Sequence, residues 1–345
     1  MIRIGVLCPS EIAYRRFMPA LYEEKDFHFV GIGVCSKEER FGENNLKTEK
    51  MNFILEQEKA KAERFIEKYG GKIFPSYQAL LGSGEIDAIY IPLPPALHFL
   101  WSKKALEQNI HVLVEKPATI SAVDAKELVK LAGEKKLALH ENYMFAFHNQ
   151  LEVIKKVIDS GEIGTVRLYR ISFGFPRRAA DDFRYNKILG GGALIDAGGY
   201  TVKYASMLLG ETASVRTARL NYTDEFDVDV YGSATLMNED GMVAQIAFGM
   251  DNSYKCELQV WGSKGYLTSG RILTAPAGFI PEFTIESASG VETRKLPSDD
   301  TFLKSIKRFK HCITDETFRN QGYQEIMKQA QLIEQLYNVS QHNMK

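Results

Sequence analysis

The chain has 345 residues, 45% of them hydrophobic and 25% charged, which suits two globular domains and excludes a disordered or fibrous protein. Lys and Arg number 43 against 44 Asp and Glu, so the net charge of −1 gives no global pull toward nucleic acid or an anionic membrane. No apolar run approaches the roughly 18 residues that would span a bilayer. Cys8, Cys35, Cys256 and Cys312 lack metal-ligand spacing, so reduced thiols and no metal site are expected. The N-terminus runs straight into a strand-like segment with no signal-peptide pattern, and a cytoplasmic protein is the expectation.

Residues 2–7 read as a strand, 11–24 as a helix, 29–34 as a second strand and 55–69 as a charged helix. The polar stretch 41–57, with Asn44-Asn45, reads as an inserted loop. Residues 87–92 form another strand and 96–108 another helix. Then comes Ile110-His111-Val112-Leu113-Val114-Glu115-Lys116-Pro117, a short apolar run that stops at an acid, an amine and a proline. Such a run suits a strand buried on both faces of a parallel sheet, and Pro117, with no N–H for the ladder, ends it. Ligands bind outside the carboxyl ends of such strands, so Lys116 is placed for chemistry. A helix over 122–134 and a strand over 137–140 complete an alternating β/α pattern, which implies a parallel sheet with right-handed crossovers.

After the first strand a dinucleotide-binding turn would carry G-x-G-x-x-G/A. The chain has Cys8-Pro9-Ser10-Glu11-Ile12-Ala13, of which only Ala13 fits. The helix N-terminus at Ser10, Glu11 and Ile12 still offers N–H groups and a positive dipole end to phosphate. The second strand ends in Val34-Cys35-Ser36-Lys37 with Arg40 close behind. An acid at that tip holds the ribose 2′-hydroxyl of NAD, and a cation favours the 2′-phosphate of NADP. Ser36, Lys37 and Arg40 therefore favour NADP(H) over NAD(H), with Glu38 and Glu39 counting against.

In the second half an amphipathic helix over 150–160 is followed by an alternating strand over 166–173. The stretch to Asn186 is rich in Arg and aromatics, among them Phe175, Arg177, Arg178, Arg184 and Tyr185. Guanidinium groups bind phosphate bidentately, and aromatic rings stack on a base or sugar. Asp196 and Tyr200, four apart after Gly190-Gly191-Gly192, share one face of a helix. Strand-like segments at 214–220, 231–236, 243–248, 256–260 and 283–287 have short turn-like connectors, which favours an antiparallel sheet. Helices over 301–312 and 324–339 close the chain, and His28 and His311 read as structural.

Five motifs in order carry a resemblance: Ile4-Gly5-Val6-Leu7 with Glu11-Ile12-Ala13, Ile91 to His98, Glu115-Lys116-Pro117, Glu141-Asn142-Tyr143-Met144-Phe145, and Gly190 to Tyr200 ending at Leu208-Leu209-Gly210. Over nearly its whole length the chain resembles the family of glucose-fructose oxidoreductase, inositol dehydrogenase and MocA (Gfo/Idh/MocA). Asp182-Phe183-Arg184-Tyr185 is most similar to the nucleotide-sugar 3-ketoreductase branch. The resemblance implies an α/β protein: an N-terminal Rossmann parallel sheet over 1–145, and a C-terminal α/β domain over 146–345 with a large, mostly antiparallel open sheet. It implies NAD(P)-dependent hydride transfer on a sugar or nucleotide sugar, and a homodimer or homotetramer through that sheet. By the same resemblance Leu93, Pro94, His98, Glu115 and Asn142 would line the cofactor, Tyr143 would face the substrate, and Lys116–Pro117 would be a cis bond. Many members carry a histidine where this chain has Tyr200, so a phenol is the expected acid/base. An unperturbed phenol titrates at about 10, and a cation such as Lys116 favours its charged form. Asp196 would orient these groups. A dehydrogenase of a free sugar, polyol or dihydrodiol and a non-catalytic NADP-binding regulator are the alternative readings.

Overall fold

The computed structural model describes residues 1–41 and 48–342. It divides into two compact units: residues 1–119, 123–142 and 305–326 in the first, and 120–122, 143–304 and 327 onward in the second.

The first unit alternates β1 (Ile2–Leu7), α1 (Met18–Glu23), β2 (Phe27–Gly33), α2 (Lys37–Phe41), α3 (Thr48–Tyr69), β3 (Lys72–Phe74), α4 (Tyr77–Leu81), β4 (Ala88–Ile91), α5 (Pro95–Glu107), β5 (His111–Val114), α6 (Ala122–Lys135) and β6 (Leu139–Glu141). The strands form one parallel sheet in the order β3-β2-β1-β4-β5-β6. Ile4, Val6 and Leu7 of β1 and Val112, Leu113 and Val114 of β5 are at most 1% exposed, as unbroken apolar runs between two helical layers should be. The winding reverses between β1 and β4, and the crevice outside their carboxyl ends is where such sheets bind ligands.

Two features differ from the sequence reading. α3 starts at Thr48, so the loop expected over 41–57 is helical from 48 on; buried Met51 anchors a segment whose polar composition hides it. Residues 42–47, with Asn44 and Asn45, lie outside the described residues. The first helix spans 11–23 and contains a π-helical turn at Ala13–Phe17.

The second unit contains α7 (Asn149–Asp159), β7 (Val166–Gly174), α8 (Gly199–Leu209), β8 (Ser214–Thr223), β9 (Phe226–Met237), β10 (Val243–Gly249), β11 (Lys255–Gly262), β12 (Gly265–Gly270), β13 (Glu282–Ser287) and β14 (Gly290–Lys295). Two further helices, α9 (Thr301–Thr314) and α10 (Glu316–His342), contribute residues to both units. The eight strands run β14-β13-β12-β11-β7-β10-β9-β8, antiparallel throughout except for β7 against β10. The period of two is plain: Ala244, Ile246 and Phe248 of β10 and Leu258 and Val260 of β11 are buried, while Gln245, Ala247 and Trp261 face out. α8 packs on the inner face against β7 and β10. β14, almost wholly exposed, has no alternation by which the sequence could reveal it.

Candidate active site

In the first unit, the Lys116–Pro117 bond at the end of β5 is cis, as the resemblance implies. Glu115, one residue past the strand, is surrounded by donors. Its Oε1 accepts from the Tyr90 hydroxyl at 2.6 Å and from Asn142 Nδ2 at 2.7 Å. Burial pushes the Glu115 carboxyl upward; those two hydrogen bonds and the Lys116 charge pull it back. His98 is fully buried, with Nδ1 2.7 Å from the Pro117 carbonyl oxygen and Nε2 2.6 Å from that of Leu93. The ring therefore ties the loop after β4 to the loop after β5. Both nitrogens lie against backbone carbonyls, and the neutral ring donates its one N–H to one of them, so His98 braces this edge. Burial pushes its imidazole down to about 4, against the pull of the two carbonyls. Pro94 caps the start of α5 beside buried Leu93.

The loop after β1 keeps the form that its missing glycines would give. Cys8 has φ 76°, a left-handed conformation that glycine ordinarily supplies. Ser10 Oγ accepts the N–H of Ala13 at 3.2 Å, and Glu11 and Ile12 lie exposed at the head of the helix. At the tip of β2, Glu39 turns into the backbone: its carboxylate accepts the N–H groups of Ser36 (2.9 Å), Tyr77 (3.0 Å) and Gln78 (2.9 Å). Buried Glu58 accepts the Cys35 N–H at 2.7 Å and the Tyr77 hydroxyl at 3.2 Å. Both acids are thus spent on the protein, while Lys37 and Arg40 stay exposed beside Ser36. A phosphate-bearing dinucleotide fits these residues: a helix N-terminus behind β1 and two cations behind β2.

In the second unit, Tyr200 is 8% exposed within a box of rings, edge-on to Tyr143 (5.4 Å between centroids) and Phe173 (5.4 Å) and tilted against Phe145 (5.7 Å). Tyr143 is buried, and its hydroxyl accepts from Gln329 Nε2 at 3.1 Å. A Cβ on Gly199 would fall 2.3 Å from the Tyr143 hydroxyl, so glycine is required beside Tyr200. Tyr143 therefore braces Tyr200. Asp196 falls on the π-helical turn Leu194–Gly198 just before α8. Arg184 Nε donates to Asp196 Oδ2 at 2.6 Å, and Arg184 also bonds Asp182 at 3.1 Å.

Asp229, on β9, caps this helical segment: Oδ2 accepts the Leu194 N–H at 2.7 Å. Burial pushes the Asp229 carboxyl up to about 6, against the N–H bonds of Leu194 and Ala193 that favour its charge. Gly192, at φ +125°, lies where a Cβ would sit 2.5 Å from Asp229 Oδ1. This explains the last glycine of the triple run: it brings the chain against its own helix cap.

The arginine-rich segment is already partly neutralised. Arg177 pairs with Glu225 and lies over the Phe226 ring at 5.1 Å. Tyr185 is buried, stacks on Phe226 at 4.2 Å, donates to the Met250 carbonyl at 3.0 Å and accepts the Arg178 N–H at 3.1 Å. Its hydroxyl is thus held by backbone on both sides. Arg178 is exposed over the half-buried Phe175 ring at 5.2 Å and meets no carboxylate among the described residues.

Sequence reasoning missed Glu58, Asp229, Gln329 and buried Lys203, and read Glu39 only as a charge near the cofactor. Only Lys203 left a signal, a buried-face lysine three residues after Tyr200 with its ammonium 6.0 Å from the Tyr143 ring centroid. Among the described residues no group of three or more His, Cys, Asp or Glu could hold a metal ion, and no helix is long and apolar enough to cross a membrane.

Comparison with known proteins extends this picture. Residues 25–143 match the family described as oxidoreductase family, NAD-binding Rossmann fold, and residues 151–268 match the GFO/IDH/MocA C-terminal domain. The chain is 37% identical over 342 residues to dTDP-3,4-didehydro-2,6-dideoxy-alpha-D-glucose 3-reductase of Streptomyces violaceoruber, covering 96% of this chain and 94% of that one. It is 34% identical over 333 residues to the protein of the same description from Actinomadura kijaniata, covering 96% and 94%. A crystal structure of KijD10, a 3-ketoreductase from Actinomadura kijaniata in complex with NADP and TDP-benzene, superposes with a TM-score of 0.88 at 34% identity over 98% of this chain and 97% of that one.

Proposed function

The chain belongs to the Gfo/Idh/MocA oxidoreductase family, and from that premise we propose that it reduces the 3-keto group of a dTDP-linked deoxysugar with NADPH. The observation that carries this reading is the 37% identity to a dTDP-sugar 3-reductase across 96% of the chain. The retained chemistry supports it. Altered forms of KijD10 at one lysine and one tyrosine exist in complex with TDP-benzene and NADP, and those two residues stand as far apart in that chain as Lys116 and Tyr200 do here.

When bound, the nicotinamide supplies the hydride. The chain's own part is to position and to move a proton. Tyr200 gives the proton to the nascent alkoxide, and the Lys116 ammonium favours the phenolate left behind and polarises the carbonyl oxygen. Asp196, held by Arg184, orients this pair. Glu115 and Asn142 support the strand end that carries Lys116. Ser10, Glu11 and Ile12 take the pyrophosphate. Ser36, Lys37 and Arg40 take the 2′-phosphate, since Glu39 and Glu58 are turned away into the protein. Arg178, with its charge available above Phe175, takes the diphosphate of the substrate, a role that the neutralised Arg177 and Arg184 are poorly suited to.

A homodimer or homotetramer through the outer face of the eight-stranded sheet, where Trp261 is 59% exposed, and a cytoplasmic location belong to the same proposal. Light scattering of Trp261→Glu tests the assembly: dissociation supports it, and an unchanged mass removes that face from it.

The decisive test of the activity follows NADPH absorbance with a dTDP-3-keto-deoxysugar, the corresponding free sugar, and NADH in place of NADPH. Turnover with NADPH and the nucleotide sugar alone supports the proposal. Equal use of the free sugar would shift the reading to a polyol or sugar dehydrogenase. Tighter binding of NADH, or an unchanged preference in Lys37→Glu, would overturn the cofactor choice.

A further inference from the structure

A directed chain of hydrogen bonds inside the first unit ends at Glu115. His140 Nε2 lies 2.9 Å from Ser305 Oγ, and Ser305 donates to Asn142 Oδ1 at 2.7 Å. Asn142 Nδ2 donates to Glu115 Oε1 at 2.7 Å, where the Tyr90 hydroxyl also donates at 2.6 Å. Ser305 and Asn142 are each 1% exposed and His140 4%, so water cannot replace these partners. The single hydroxyl hydrogen of Ser305 is used toward Asn142, so its oxygen accepts and His140 carries its proton on Nε2. A side-chain amide fits its site either way round, but here only one orientation works. Reversed, Asn142 would set its oxygen against the Glu115 carboxylate and leave Oε1 without that donor.

Ser305 lies on α9, more than 160 residues from Asn142 in the sequence. We propose that Ser305 is a positioning residue of the reaction: its hydroxyl fixes Asn142 with the amide nitrogen toward Glu115, and so keeps the Glu115 carboxylate charged beside Lys116. The groups that face Glu115 are Tyr90 from β4, Asn142 after β6 and its own neighbour Lys116. Burial already favours the neutral acid, so loss of an oriented donor tips the balance toward protonation. The inference rests on the reading that the end of β5 carries the reaction.

The test uses the full chain without ligand. Unfolding free energies of the unaltered protein and Ser305→Ala are measured by urea denaturation from pH 5 to pH 8, and again in a Glu115→Gln background. The account predicts that the deficit of Ser305→Ala grows as pH rises, because only the charged carboxylate needs the oriented amide. An increase of about tenfold in the unfolding constant, one pH unit of displaced titration, is the expected scale. In the Glu115→Gln background the deficit should be flat with pH. In turnover, the acid limb of the kcat/KM profile of Ser305→Ala should move to higher pH. A deficit that does not vary with pH, or one that keeps its pH dependence in Glu115→Gln, would overturn the proposal. Absence of turnover in the unaltered protein would instead contradict the proposed function, and the unfolding data would still decide the role of Ser305.

Discussion

Arg184 and Asp196 form a part-buried, hydrogen-bonded ion pair, Nε to Oδ2 at 2.6 Å. The pair joins the arginine-rich segment to the helical turn that precedes Tyr200. It also changes what Arg184 can do. A guanidinium already facing Asp196 and Asp182 has little net charge to offer a phosphate, whereas it holds Asp196 in one direction.

Arg184→Ala is therefore expected to lower kcat by about tenfold or more, equivalent to about 1.4 kcal/mol of lost transition-state stabilisation, with the KM for the nucleotide sugar changed by less than about threefold. Steady-state kinetics separate the two parameters. A large rise in KM at constant kcat would return Arg184 to the phosphate.

The complementary expectation concerns Arg178, whose guanidinium lies over Phe175. Arg178→Ala should weaken binding of thymidine diphosphate by about tenfold, or about 1.4 kcal/mol, and the loss should shrink at high salt. Arg177→Ala, already paired with Glu225, should change it by less than about threefold, which is the scale of an exposed ion pair. Calorimetric titration of both variants checks the contrast, and equal losses would contradict it.

Much of the first unit was legible because hydrophobic runs and helical periods are local signals. The apolar run into Glu115-Lys116-Pro117 marked a strand end without any knowledge of its neighbours. Partnership is not local, and there the sequence misled. Glu39 looked like a charge hostile to a 2′-phosphate, but the N-terminus of α4, some forty residues on, takes its carboxylate. Arg184 and Tyr185 read as ligand contacts, and their partners within the chain, Asp196 and the Met250 carbonyl, could not be read from spacing. Asp229 and Gln329 reach the segment around Tyr200, and Ser305 reaches Asn142, from distant strands and helices. No spacing rule could have found them.

Asp229 gives a pH dependence with a definite sign. Its carboxyl is raised from 3.8 to about 6 by burial, so the folded state binds a proton more tightly than the unfolded state. The contribution to stability is fully present below about 4 and is lost as pH rises through about 6. Asp229→Asn cannot titrate, so its stability curve should be flatter across that window. Urea unfolding at successive pH values checks this; identical slopes for the two proteins would contradict the assignment.

The central claim is that Tyr200 transfers the proton in a ketone reduction. Single-turnover and steady-state rates of Tyr200→Phe, measured with NADPH and a dTDP-3-keto-deoxysugar, test it most directly. Removal of the hydroxyl leaves the packing against Tyr143, Phe145 and Phe173 in place, so NADPH affinity and stability should hold. Turnover should fall by roughly 10²–10⁴-fold, the usual scale of general acid–base catalysis. Turnover within a few-fold of the unaltered protein would contradict the account and assign the proton to another group.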